Sequence, residues 1–379
     1  MAFSDANSVT IRYARESSWG ETVSNPASTQ LRVQNESFSH AKETIVSNEI
    51  EAGRQRTALL EVSDSASGGF GFELIYSSYE GFFEDALRGT ISSATVAMTS
   101  TVVVAASSIT GPSGTNFVAS FAAGQWVKNQ TTDDVMKITA LTSTVLTVTG
   151  TTLTASSYSS AAITGRTLTN GTTKVSHFIE TDFGGIAAVK YQTGMRCNTA
   201  NLTVASSQII TGTFEFIGKQ GFTASTTVAS SVVTSAGTNT PMTAAANVPR
   251  ILKDNAVLQS SINSFSVDIN NNMSPRPTIG SKYSSEPVDG GLDVTGNLNV
   301  YFDRIDFYQA LINHTSFSMD YMMQDTDGNT IVISLPEIKA TTGDPTAGGK
   351  DEDVFIDLGY QAIKDPTLSY TIRMDFLPT

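Results

Sequence analysis

The stretches Ser264-Phe265-Ser266-Val267-Asp268-Ile269 and Leu298-Asn299-Val300-Tyr301-Phe302 decide the fold class. In the first, Phe, Val and Ile fall on one side and Ser and Asp on the other, the two-residue period of a half-buried β-strand. The same period runs from Ile209 to Ile217 around Gly212. Asp325-Thr326-Asp327-Gly328-Asn329 followed by Ile331-Val332-Ile333 reads as a hairpin turn feeding a strand. Helical spacing is confined to Tyr79 to Leu87 and Asp306 to Ile312, where apolar residues recur three and four apart. The chain reads as all-β, with two short α-helices.

Composition agrees with that reading. At 379 residues the chain is long enough for two or three domains. Charged residues make up 16% and hydrophobic residues 40%, which argues against a disordered chain. The polar surface is carried by Ser, Thr and Asn, which suit strands and turns. A net charge of −13 argues against a general nucleic-acid binder, and the single Cys197 excludes a disulfide scaffold. No basic-then-apolar leader opens the sequence, and no stretch offers the apolar run of a membrane helix.

Charge is unevenly spread. Residues 91–165 carry two acids and two bases, with none between Arg88 and Lys128, whereas 251–379 carry 18 acids and 8 bases. The neutral stretch 91–165 reads as an inserted small β-barrel or decoration domain. Residues 221–254 read as a linker or stacking loop.

What remains on either side shows a weak internal duplication. Ser37-Phe38-Ser39 is followed by Gly71 and a strand, then by Phe83-Glu84-Asp85-Ala86-Leu87. Ser264-Phe265-Ser266 is followed at nearly the same intervals by Gly296 and a strand, then by Phe307-Tyr308-Gln309-Ala310-Leu311. Both helices read F-x-x-A-L, which places Phe83, Ala86 and Leu87, and likewise Phe307, Ala310 and Leu311, on one core-facing side. Asp182-Phe183-Gly184-Gly185 matches the turn Asp325 to Gly328, and Ile209 to Ile217 matches Leu368 to Phe376 as a closing strand. The domains expected are 1–90 plus 166–220, and 255–379.

Gly291-Leu292-Asp293-Val294-Thr295-Gly296-Asn297-Leu298-Asn299-Val300-Tyr301-Phe302, the helix after it, Asp327-Gly328-Asn329 and Ser334-Leu335-Pro336-Glu337-Ile338 resemble the major tail tube protein family of long-tailed (siphovirus-type) bacteriophages. So do Ser47-Asn48-Glu49-Ile50, Arg54, Gly71-Phe72-Glu73-Leu74, Asp85-Ala86-Leu87-Arg88-Gly89, Gly194-Met195 and Ile210-Thr211-Gly212-Thr213-Phe214 in the first half. The resemblance implies a β-sandwich with a helix alongside, one sheet of which joins its neighbours' sheets into an intermolecular β-barrel. It implies a structural virion protein of the phage tail, made in the host bacterial cytoplasm. Its partners would be copies of itself, other tail proteins at the tube ends and double-stranded DNA passing through without specific binding. Two copies per chain would make trimeric rings with pseudo-sixfold symmetry; hexameric rings are the alternative.

The residues suit a conduit on physical grounds. Duplex DNA carries about one negative charge per ~1.7 Å, so a basic lumen would hold it, whereas small polar and acidic side chains let it slide. The lumen-facing candidates are Glu73, Ser266, Asp268, Asn270, Asn297 and Asn299.

Other classes fit less well. A modular bacterial surface or adhesin-like β protein shares the acidity and Thr richness but does not predict matched F-x-x-A-L helices. A carbohydrate-active enzyme needs paired carboxylates in an aromatic cleft, and Trp19 and Trp126 stand far apart. His40, His177 and His314 adjoin no nucleophile or metal motif. Asp325 to Pro336 does not fit a calcium loop, because its sixth position is Thr330 rather than Gly and its twelfth is Pro336 rather than Glu. No catalytic, cofactor-binding or metal-binding residues are expected, and no cofactor.

Overall fold

The computed structural model describes residues 4–21, 24–229, 232–258, 262–347 and 349–379. Residues 1–3 and 22–23 of the expected first domain, 230–231 of the 221–254 segment, and 259–261 and 348 of the last domain lie outside the described residues. Among the described residues the chain is built of strands with three α-helices, α1 (Glu80–Leu87), α2 (Ala244–Asn247) and α3 (Asp306–Ile312), and a 3-10 turn at Ala6–Ser8. The all-β reading holds. α1 and α3 are the two helices expected; α2 is a single turn that the Ala run of the 221–254 segment forms.

One long antiparallel sheet runs through the molecule. Ser39–Val46 pairs with the first part of Leu59–Glu73, and the second part of that strand pairs with Thr211–Gly218. Thr211–Gly218 pairs with the later part of Val189–Ala205, which in turn pairs with Ile262–Asn270. Asp293–Tyr301 and Phe355–Ala362 follow, and the end of Thr330–Ala340 closes the row. Alternation dictates which side is buried. Phe70, Phe72, Phe214, Leu202, Phe265, Val267, Leu298 and Leu358 face the core, while the residues between them are polar or glycine.

A second layer covers that core in two pieces. In the first half Ser28–Gln30, Val9–Arg15, His177–Phe183, the start of Val189–Ala205 and Gln220–Ala224 pair in that order. In the second half Ala256–Val257, Arg250–Lys253, Ser316–Gln324, the start of Thr330–Ala340 and Arg373–Leu377 do the same. Val189–Ala205 and Thr330–Ala340 therefore pass from one layer to the other. Each does so beside a break in register, between Cys197 and Thr199 in the first strand and where Pro336 interrupts the second. An extra residue bends a strand, and proline is tolerated where a ladder bond is absent.

Several matched sequence signals occupy different places. Gly71 lies near the end of its strand on the polar side, against Asn35, whereas Gly296 lies within its strand on the core side. A Cβ on Gly296 would meet the Ser266 carbonyl oxygen at 2.1 Å and the Tyr360 hydroxyl at 2.4 Å. Phe265 pairs with Leu298, while Phe38 lies beyond the equivalent stretch. The strand that pairs like Thr211–Gly218 is Phe355–Ala362, and Arg373–Leu377 pairs like Gln220–Ala224. The helices and the two hairpin turns do correspond. The 221–254 segment, expected as a linker, supplies second-layer strands at both ends.

The sandwich interior is one continuous core. Around α1, Phe82 lies 5.1 Å from Phe70 and Phe72 stacks on Phe214 at 4.9 Å, ring centroid to centroid. In the second half Phe265 stacks on Tyr321 at 4.1 Å, and Phe307 of α3 meets Phe317 edge-on. Phe83, Ala86, Leu87, Phe307 and Ala310 are buried; Leu311 is only partly buried. Asp85 is the polar exception on α1. Its carboxylate accepts the Cys197 N–H at 2.7 Å with His177 Nδ1 at 3.4 Å. Burial raises its pKa, against the pull of His177.

Residues 92–169 form a distinct β unit with its own core, including Phe117, Met136, Ile138 and Leu146. It does not merely protrude. Ala161–Thr169 pairs with Arg373–Leu377, so this unit, inserted after α1 in the first half, docks on the second half. The contacting sheet face carries Met322, Val332 and Leu377, whose neighbours Tyr321, Met323, Ile331 and Ile333 face the sandwich core. The insert thus lies on the side of the second layer turned away from the long sheet.

Candidate assembly surfaces

The polar face of the long sheet brings the expected residues together. Glu73 is opposite Thr211, which is opposite Thr203, which is opposite Ser266. In the next row Thr213, Asn201, Asp268, Thr295 and Gln361 succeed one another, and Asn270 meets Asp293. Asn299 lies beside Asp357 and donates to its carboxylate. Asn297 donates its backbone N–H to Ser266 Oγ at 3.2 Å. All six candidates therefore lie on one surface spanning both halves. Asn201, Thr203 and Asp357 belong to it as well. Asp357 was legible from the alternation of Ile356, Leu358 and Tyr360, but Asn201 and Thr203 became neighbours of Asp268 and Ser266 only through pairing between the halves.

The electrostatics of this face are one-sided. The stretches 66–73, 211–218, 199–205, 262–270, 293–301 and 355–362 contain no Lys or Arg, but hold Glu73, Glu215, Asp268, Asp293 and Asp357. Lys339 stands at the border beside Gln361. Short polar bonds hold the side chains down: Asn201 Nδ2 to Asp268 Oδ1 at 2.5 Å, and Asn263 Nδ2 to Asn299 Oδ1 at 3.1 Å. Burial raises the pKa of Glu215.

The borders of the sheet differ from its middle. Among the described residues Ser39–Val46 pairs on one side only, and every residue in it is exposed. At the opposite border Phe355–Ala362 is paired along its length on one side; on the other, among the described residues, it pairs only over its last three residues, apart from a bridge between Phe355 and Thr346. Near the first border, Ile45, Leu59, Leu60 and Val62 are 57%, 66%, 57% and 44% exposed. Exposed strand borders carrying apolar side chains are a hazard for a solitary protein and an asset for an assembly.

The seam beneath the insert is of another kind. Trp126 is buried among Val135, Leu252, Met322, Val332 and Leu377. Its indole N–H donates to Asp320 Oδ1, and its backbone N–H to Asp375 Oδ2, each at 3.2 Å. Lys137 Nζ stands 2.8 Å from Asp320 Oδ2, with both side chains almost fully buried. Burial pushes the Asp375 carboxyl up to about 6 despite Arg373. Trp126 and Lys137 lie within the neutral stretch 91–165, and nothing local to them in the sequence points to Asp320.

A two-layered β fold, a polar face shared by its halves and open strand borders describe a wall component. A family model described as phage tail tube protein matches residues 6–362, nearly the whole chain and the insert with it. The chain belongs to the phage tail tube protein family. It is a structural component of the virion tail, as the resemblance implied. No curated protein matches it. His40 Nε2 stands 2.9 Å from Asp64 Oδ1 across the pair of Ser39–Val46 with Leu59–Glu73, His177 is buried beside Asp85 and His314 follows α3 with a positive φ, three separate settings.

Proposed function

We propose that three copies of this chain close into a ring with six sandwich positions, and that rings stack into a tube whose bore carries DNA into the host. The observation that carries this reading is the seam in the long sheet, where strand 199–205 of one half pairs with 264–270 of the other. Both halves make their pairings in the same order, which supports reading them as tandem copies. A seam that joins copy to copy within a chain is a template for joining chain to chain, and closure into a barrel removes the open borders.

The polar face is then the bore wall, with Glu73, Ser266, Asp268, Asn270, Asn297 and Asn299 toward the DNA. Acidic groups and small amides repel phosphate and release no counterions, so the duplex passes without being held. The insert takes the outside, and other tail proteins cap the ends. Electron microscopy of the concentrated protein tests the ring: class averages with threefold symmetry and six lobes are expected. A persistent monomer, or six chains per ring, overturns it.

A further inference from the structure

We propose that the arm formed by residues 39–67 of one copy seats on α3 of a neighbouring copy, Val62 and Leu60 lying against Ile312 and Ile305. This rests on the ring reading and names the contact that reading leaves open.

The chain contains a template for it. The second half has its own counterpart of the arm, the segment between Ile262–Asn270 and Asp293–Tyr301, whose strands Ser274–Arg276 and Ser285–Val288 pair with each other. That segment folds onto the first half. Asp289 Oδ1 stands 2.8 Å from Arg88 Nη1 and 3.1 Å from Arg196 Nη2; Glu286 Oε1 stands 3.2 Å from Arg196 and from Lys174. Tyr283 bridges to Asp64, whose N–H donates to the Lys282 carbonyl. Arg88 is the residue that ends α1, directly after the Leu of F-x-x-A-L.

Moved to the second half, the same positions change character. The residue after the Leu of F-x-x-A-L is Ile312, 64% exposed, and Ile305 at 56% lies on the same face of α3 two turns earlier. Counted ten residues back from Phe72 and from Gly296, which the two ladders place alike, Glu286 falls level with Val62, the extra residue at a break in register of the arm, with Leu60 and Leu59 close by. An ionic seam inside the chain becomes, between chains, an apolar strand opposite an apolar helix face. Both surfaces are exposed in one copy, and the first border of the long sheet continues directly into the arm, so the sheet reading places a second copy at this position.

The two seams also exclude each other's partners. An arm bearing Val62 would leave Arg88 and Arg196 without their carboxylates, while a segment bearing Glu286 and Asp289 would bury charge against Ile312. Alternation of first and second halves around the ring follows.

Cross-linking tests this. Chains carrying Val62→Cys and chains carrying Ile312→Cys are mixed, assembled and treated with a short bis-maleimide; the native Cys197 is buried. A linked dimer in the mixture, absent from either variant alone, is expected. Rings that form without that product overturn the arm contact and leave the ring standing; no rings and no product overturn both. Ile312→Asp, at an exposed site, should leave the monomer folded by circular dichroism and weaken assembly at least tenfold. Ile312→Arg with Val62→Glu, which rebuilds the internal ionic seam, should restore it; no recovery counts against the proposal.

Discussion

The outer faces of the two second-layer sheets are covered in different ways. In the first half the buried Glu180 accepts from Arg12 Nη1, Thr227 Oγ1 and the N–H groups of Val228 and Ala229, so a following loop of the same half closes the face. In the second half no such loop arrives among the described residues, and the insert from the first half supplies Trp126, Lys137 and an apolar patch instead. The same sandwich can be finished by a local loop or by a distant unit. The distant unit adds a consequence that the loop cannot: it ties the halves together at a second place, behind the seam in the long sheet.

That contrast can be broken at the insert first. Lys137→Met leaves the Asp320 carboxylate buried without its cation, and a loss of about 3–5 kcal/mol in denaturant unfolding is expected. Adding Asp320→Asn should recover much of it, because the amide oxygen still accepts from Trp126 and Ser334. Trp126→Ala, which opens a cavity in a packed seam, should cost about 3–5 kcal/mol. A loss under about 1 kcal/mol in either case would mean the insert rests on the second half without bracing it.

A smaller effect has a pH signature. Asp375, with a folded pKa of about 6 against about 3.9 unfolded, binds its proton more tightly in the native state. Stability from this group is therefore greatest at low pH and falls as pH rises between about 4 and 6. Asp375→Asn should gain on the order of 2 kcal/mol at pH 8 and almost nothing near pH 3.5. In the first half Arg12→Leu should cost about 1–2 kcal/mol, since Glu180 keeps three donors. Least of all, Asn297→Ser on the polar face should change stability by under about 0.5 kcal/mol.

The polar face was legible because period-two alternation is local: Phe265, Val267 and Ile269 point one way and force Ser266 and Asp268 the other. The helices were legible for the same reason, from Phe83, Ala86 and Leu87 and from their counterparts. Register across the halves was not. Ser-Phe-Ser and the glycines recur at similar intervals, yet Gly71 and Gly296 face opposite sides, because a shift of one residue along a strand exchanges its faces. In the first half the ring of Phe72 covers Gly212 across the ladder; in the second Tyr360 covers Gly296, so ring and glycine have traded strands. The insert's docking was hidden for another reason. Trp126 and Asp320 are brought together by the path of the whole chain, and neither carries a local sign of the other.

A cryo-electron microscopy reconstruction of assembled tubes bears most directly on the claim that the long sheet is a shared wall. The account predicts a continuous barrel with Ser266, Asp268, Asn297 and Asn299 toward an open bore and residues 92–169 on the exterior. A reconstruction with those side chains facing outward, or with strand Ser39–Val46 and its arm bordering only solvent, would contradict it.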